Sequence, residues 1–178
     1  ATLPYTSHID VMTPMTDERL DDVLREATIR AGRDDYEEDV ACCIAVRRGG
    51  SGGTFGAPGD RLDSIDSEDE LDTVLGVSSA RVKIVNGINW CGDVGFNIIG
   101  CSFRPGSTIA VVRLSEVDLE ALLWIHEYGH NVGLGHSSDS RDIMFGINVG
   151  TNRGLLQAEC NAYQAPPPQA RAILEDIG

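Results

Sequence analysis

The sequence predicts an α+β domain in which helices cover a β-sheet, and three observations lead there. Leu20, Val23, Leu24, Ala27 and Ala31 recur at helical spacing near the start. Several short apolar segments follow, each bounded by turn-forming residues. Leu119 to Ile125 is then apolar on nearly every side, as a helix running through the middle of a core would be.

Taken in chain order, Ser7 to Met12 reads as an extended start. Thr16 can cap a helix from about Asp17 to Ala31, with Gly32 to end it. Val40 to Val46 (VACCIAV) is short, apolar and β-branched, which predicts a buried strand. Gly49 to Asp60 holds too many glycines for regular structure, and the acidic tract from Asp60 to Asp72 should continue it as an exposed loop or short helix. Arg81 to Val85, Phe96 to Phe103 and Thr108 to Arg113 predict further strands, separated by Asn86-Gly87 and Pro105-Gly106. Ser115 and Asp118 give a capping-box signature for the apolar helix, which Gly133 and Gly135 interrupt. A polar stretch runs to about Asn152, and a last short helix is expected from Gln169 to Ile177, after Pro166 to Pro168.

A chain of 178 residues with 42% hydrophobic and 24% charged residues suits a single globular domain, 1–178, with its own core. Its formal charge of −14 opposes binding to nucleic acid or to an anionic membrane surface. No apolar run reaches the roughly 18 to 20 residues of a membrane span, and no signal-peptide pattern opens the chain, so a mature, processed protein is expected. Cys42, Cys43, Cys91, Cys101 and Cys160 fit no CxxC pattern, which points to disulfides and a secreted, extracellular setting. Neighbours on a strand point to opposite faces, so Cys42 and Cys43 should not bond each other. The expected pairs are Cys91 with Cys101, and either Cys42 or Cys43 with Cys160. A monomer is expected.

The chemistry lies in His126 to His136, HEYGHNVGLGH. Positions four apart share a helix face, so His126 and His130 can aim their imidazoles at one ion about 2.0 to 2.1 Å away. Gly133 can take the positive φ that turns the chain back and brings His136 round as a third ligand. Three neutral nitrogens leave the fourth position of a single zinc ion open, the arrangement of a catalytic rather than a structural site. Glu127 is placed to act as general base on a metal-activated water. A lone HExxH also occurs in helices that bind nothing, but the longer pattern arises by chance in about one chain of this size in 10⁵.

This pattern, followed shortly by Met144, resembles the metzincin metallopeptidases. Ser137, Ser138, Asp139 and Met144 in HEYGHNVGLGHSSDSRDIMF are most similar to the matrixin, or matrix-metalloproteinase-like, branch. The resemblance implies a metzincin-like (zincin) fold: a twisted mixed β-sheet, an early helix, a central zinc-binding helix and a smaller C-terminal subdomain ending in a helix. It further implies an active-site cleft between an upper subdomain of about 1–134 and a lower one of about 135–178, with Met144 as an apolar floor under the metal. Phe145 and Gly146 stand where matrixins usually have tyrosine and proline. Matrixins also carry a second, structural zinc, which His8 alone cannot build; His8 is expected at the surface.

In that family an extended peptide lies along the edge strand above the zinc helix, so Ile99, Gly100 and Cys101 are expected to line the substrate rim and Phe145, Gly146 and Ile147 the outer wall. The implied activity is zinc-dependent hydrolysis of internal peptide bonds, with polypeptides as partners and neither nucleic acid nor membrane among them. Two rivals remain: a zinc-holding module without catalysis, against which intact Glu127 speaks, and a zinc hydrolase of small amides, which would need a closed pocket. Asp60, Asp63, Asp66, Glu68, Asp69, Glu70 and Asp72 could offer oxygen ligands to calcium, but they miss the EF-hand spacing, and a solvated acidic loop is the simpler account.

Overall fold

A computed structural model describes residues 1–32, 42–152, 154–165 and 173–178. Its elements are β1 (Tyr5–His8), α1 (Asp17–Ala31), β2 (Gly53–Phe55), β3 (Ser64–Ile65), α2 (Glu68–Leu75), β4 (Val82–Val85), β5 (Gly87–Trp90), β6 (Val94–Ile98), β7 (Gly100–Arg104), β8 (Ile109–Val112), α3 (Val117–Asn131), α4 (Gln157–Gln164) and β9 (Ile173–Ile177). Six strands form one sheet in the order β2-β1-β4-β8-β7-β9, and β3-β5-β6 form a smaller one. The pairs among β2, β1, β4 and β8 are parallel, whereas β7 runs antiparallel to both β8 and β9.

Alternation along the parallel strands divides the core in two. Val82, Ile84, Ile109 and Val111 join Leu20, Val23, Leu24 and Ala27 of α1 and Leu122, Leu123 and Ile125 of α3 in one cluster. Val85 and Ala110 face the other way, onto Leu71, Val74 and Leu75 of α2 and Ile88 of the small sheet. Such double burial keeps β8 apolar throughout and β4 apolar except at Lys83. The Thr16 side chain caps α1 by accepting from the Arg19 amide, as expected.

The start of α3 departs from expectation. The helix begins at Val117 after Glu116, with no side-chain cap, so the Ser115 and Asp118 box does not form. The fully buried Glu120 carboxylate takes over the anchoring, accepting from the Leu114 amide at 3.0 Å, Arg113 Nε at 2.6 Å and Arg19 Nε at 2.8 Å. It ties α1, the end of β8 and α3 together, and a charged network of this kind outcompetes a local hydroxyl cap.

Several strand predictions need correction. Residues 40 and 41 lie outside the described residues, and residues 42–46 form no ladder. Their buried and exposed side chains still alternate, and the run is tied to the N-terminus by an isolated bridge, Thr2 to Arg47, and by the Ala1 ammonium, which donates to the Ala45 carbonyl at 2.7 Å. Gly53–Phe55, inside the glycine-rich run, pairs with β1, because its backbone hydrogen bonds need no side chains. Phe96 to Phe103 is not one strand: β6 ends at Ile98 in the small sheet, and β7 begins at Gly100 in the large one.

The C-terminal end is also different. Gln169 to Ala172 lie outside the described residues, and Ile173–Ile177 is the strand β9, so the chain does not end in a helix there. The helix that follows the methionine turn is α4, which the sequence pattern did not announce. Because β9 pairs with β7, that strand is interior rather than at the edge.

Candidate metal centre

His126, Glu127 and His130 sit on α3 and are all fully buried. His126 Nδ1 is 2.7 Å from the Ile143 carbonyl oxygen, and His130 Nδ1 is 2.7 Å from that of Leu134. A carbonyl only accepts, so each Nδ1 carries the proton and each Nε2 keeps its lone pair. Both Nε2 atoms are buried without a hydrogen-bond partner among the described residues. Two orphaned acceptors at this depth are costly unless something else satisfies them, and a metal ion does so.

The turn that follows supplies the third ring. Gly133 has φ of 101°, a left-handed conformation open to glycine, and its amide donates to the His130 carbonyl at 2.9 Å. His136 then swings back, with its ring centroid 5.3 Å from that of His126 and 4.9 Å from that of His130; the two helix rings are 4.6 Å apart. One ligand atom from each of the three histidines lies within 4.8 Å of the others. His136 is the least covered, its side chain 32% exposed.

Burial, and then the neighbouring His130 ring, hold His126 well below the usual imidazole range. Burial likewise lowers His130 to about 3. Both rings are therefore neutral near pH 7, as nitrogen ligands must be. Burial pushes the Glu127 carboxyl well above its ordinary value; the Ser102 hydrogen bond opposes this, while Asp176 and Glu175 add to it. Ser102 Oγ donates to Glu127 Oε2, and Oε1 has no partner among the described residues. Gly100 lies so close that a Cβ there would stand 2.5 Å from Oε1.

Met144 is fully buried in a turn where its amide donates to Asp142 Oδ1 at 2.7 Å, and its carbonyl accepts from the Ser137 amide at 2.8 Å. Its sulfur is 3.5 Å from the Tyr163 hydroxyl, which donates to the Ile125 carbonyl at 2.7 Å. Gly146 lies against the His136 ring, with Phe145 partly exposed beside it and Ile147 exposed. Ile99 is partly buried. Cys101 is fully buried and bonded to Cys91, so its side chain cannot line a rim.

The second bridge joins Cys42 to Cys160, and Cys43 takes part in neither. His8 is a correction: it is 1% exposed, with Nε2 2.7 Å from Asp60 Oδ1. Sequence reasoning missed Ser102, Tyr163 and Glu175. A serine in an otherwise apolar strand was the available signal for Ser102; Tyr163 and Glu175 carried none.

The family model described as Matrixin matches residues 62–159. The chain belongs to the matrixin family. This matrixin shares 18% identity and a TM-score of 0.55 with archaemetzincin from Methanopyrus kandleri, over 92% of this chain and 93% of that one. It is also similar, at 13% identity and a TM-score of 0.50, to part of a structure described as a chaperone-substrate complex, over 93% of this chain and 33% of that one. These likenesses show a metzincin-like fold. Family membership makes the protein a zinc metallopeptidase in general terms, and His126, His130 and His136 could hold the ion.

Proposed function

We propose that this matrixin is a secreted, monomeric zinc endopeptidase in which His126, His130 and His136 hold the metal, Glu127 is the general base and Met144 forms the floor. The carrying observation is the pair of buried Nε2 atoms of His126 and His130, without a partner among the described residues and grouped with His136, together with the equally unpartnered Oε1 of Glu127 on the same helix. Bound zinc supplies Lewis-acid polarisation of a carbonyl and makes water acidic enough to attack near neutral pH.

The chain's own residues do the rest. The Ile143 and Leu134 carbonyls fix the tautomer and direction of the two helix imidazoles. Ser102 holds one Glu127 oxygen and leaves Oε1 to take a proton from the attacking water and return it to the departing amine. Burial raises the Glu127 carboxyl above its ordinary range, which strengthens it as the acceptor of the proton from water. Two disulfides among the described residues support an oxidising, extracellular setting.

The test compares wild type with Glu127→Ala on unfolded protein substrates, with zinc measured in both. The variant should retain zinc and lose about 10² to 10⁴-fold in cleavage rate. Undiminished cleavage would remove Glu127 as the base.

A further inference from the structure

The extended segment Ile173 to Gly178 crosses the face of the metal centre, paired with β7 along one edge and hydrogen-bonded at Gly178 on the other. On one side it pairs with β7 in the register Gly100 to Ile177, Cys101 to Asp176 and Ser102 to Glu175, and the Ile99 amide donates to the Ile177 carbonyl at 2.8 Å. On the other side the Gly178 amide donates to the Gly146 carbonyl at 3.2 Å, and the Asn148 amide donates to the Gly178 carbonyl at 2.7 Å. Residues 146–148 and β7 are thus two walls of a slot the width of one β-strand.

Within the slot the side chains are sorted by chemistry. Ile177 is fully buried, in the same apolar cluster as Leu122, Leu123 and Ile125 of α3. Glu175 reaches to 3.8 Å from His136 Nδ1 and is held by Arg104 at 2.8 Å. Gly100, which abuts Glu127 Oε1, is the residue paired with Ile177, so the segment passes that carboxylate at Ile177.

We infer that Ile173–Gly178 occupies the groove that an extended polypeptide would enter, with the buried Ile177 as its anchor, and that a second chain is admitted only when this segment leaves. The inference rests on the peptidase reading for its chemistry but not for its geometry. Backbone bonds to β7 read no sequence and would serve any extended chain, whereas the buried Ile177 side chain holds this segment in place. A second strand cannot use the Ile99 and Asn148 amides while they are engaged.

The full chain, loaded with zinc, tests this with Ile177→Asp, which places a charge in the pocket, with Ile177→Ala as a milder change and Ile177→Val as a control. The readouts are hydrogen exchange at Asn148, binding of a labelled peptide ILEDIG, and kcat/KM on a peptide substrate. Ile177→Asp should speed exchange, tighten probe binding about 10- to 100-fold and raise kcat/KM by a similar factor, mainly through KM. Ile177→Ala should fall between, and Ile177→Val should match wild type. Exchange unchanged in both Asp and Ala variants overturns the inference, as does faster exchange with probe binding unaltered. Tighter probe binding with no cleavage of any peptide supports the slot and counts against the peptidase reading instead.

Discussion

His8 and His126 are both buried histidines, yet their ring nitrogens are used in opposite ways. His8 Nδ1 accepts from the Asp10 amide at 3.0 Å, and Nε2 meets Asp60 at 2.7 Å, so neither nitrogen is left over. His126 commits Nδ1 to a carbonyl and keeps Nε2 unpartnered. Proximity does not separate the two places, because ligand atoms of His8, Asp10 and Asp63 also lie within 4.8 Å of one another. The distinction is in the remainder: Asp10 accepts from the Gly59 amide and Asp63 from Asn86, so that cluster closes on itself. A site for an ion is marked by ligand atoms that the protein leaves unsatisfied.

The sharpest way to break this contrast is metal removal. Zinc at a thousand times its Kd should raise unfolding free energy by about 4 kcal/mol, read by denaturant titration with and without chelator. His130→Ala should abolish most of that gain, while His8→Ala should leave it intact. An equal loss in both variants would make the two clusters equivalent.

Lys83 sharpens the contrast with a cation that is buried and satisfied. It is 2% exposed, and its ammonium donates to the Leu75 carbonyl at 3.1 Å and to Thr108 Oγ1 at 2.6 Å. It thereby serves the C-terminal end of α2, whose last turn has no basic residue. Burial still lowers its pKa from 10.5 to about 8, with Arg81 adding to the shift. Between these values the unfolded chain binds more protons than the folded one, so stability rises with pH across that window and the penalty is full below it. Relative to Lys83→Met, wild type should gain at most about 3 kcal/mol from pH 8 to 10.5. A pH-independent difference would show that the two hydrogen bonds offset the burial.

The smallest effect belongs to His8. Its replacement by alanine leaves the Asp10 amide without its acceptor and removes one bond from Asp60, which still accepts from the Ala57 and Leu62 amides, at a cost of about 1 to 2 kcal/mol in unfolding free energy, with zinc content unchanged.

The same contrasts separate what is legible in the sequence from what is not. The spacing of His126, His130 and Gly133 dictates where a helix places and releases its side chains, so that part of the candidate site follows from local geometry alone. Ile109–Val112 is equally plain as a strand, because burial on both faces demands an apolar run, and Val82–Val85 keeps that pattern apart from Lys83. Ile173–Ile177 is not. ILEDI suits helix or strand by composition, and only the open edge of β7, far away in sequence, decides between them. The burial of His8 is hidden for the same reason: its partner Asp60 comes from a loop with no regular pattern to signal the contact.

The Cys42–Cys160 bridge closes a separation of 118 positions, and a link of that span removes about 4 to 5 kcal/mol of disorder from the unfolded chain in the loop-entropy model. It also fastens α4, the bearer of Tyr163, to the stretch leading into β2. Thiol-rich surroundings would therefore slacken α4 and the contact of its Tyr163 hydroxyl with the Met144 sulfur without touching an imidazole.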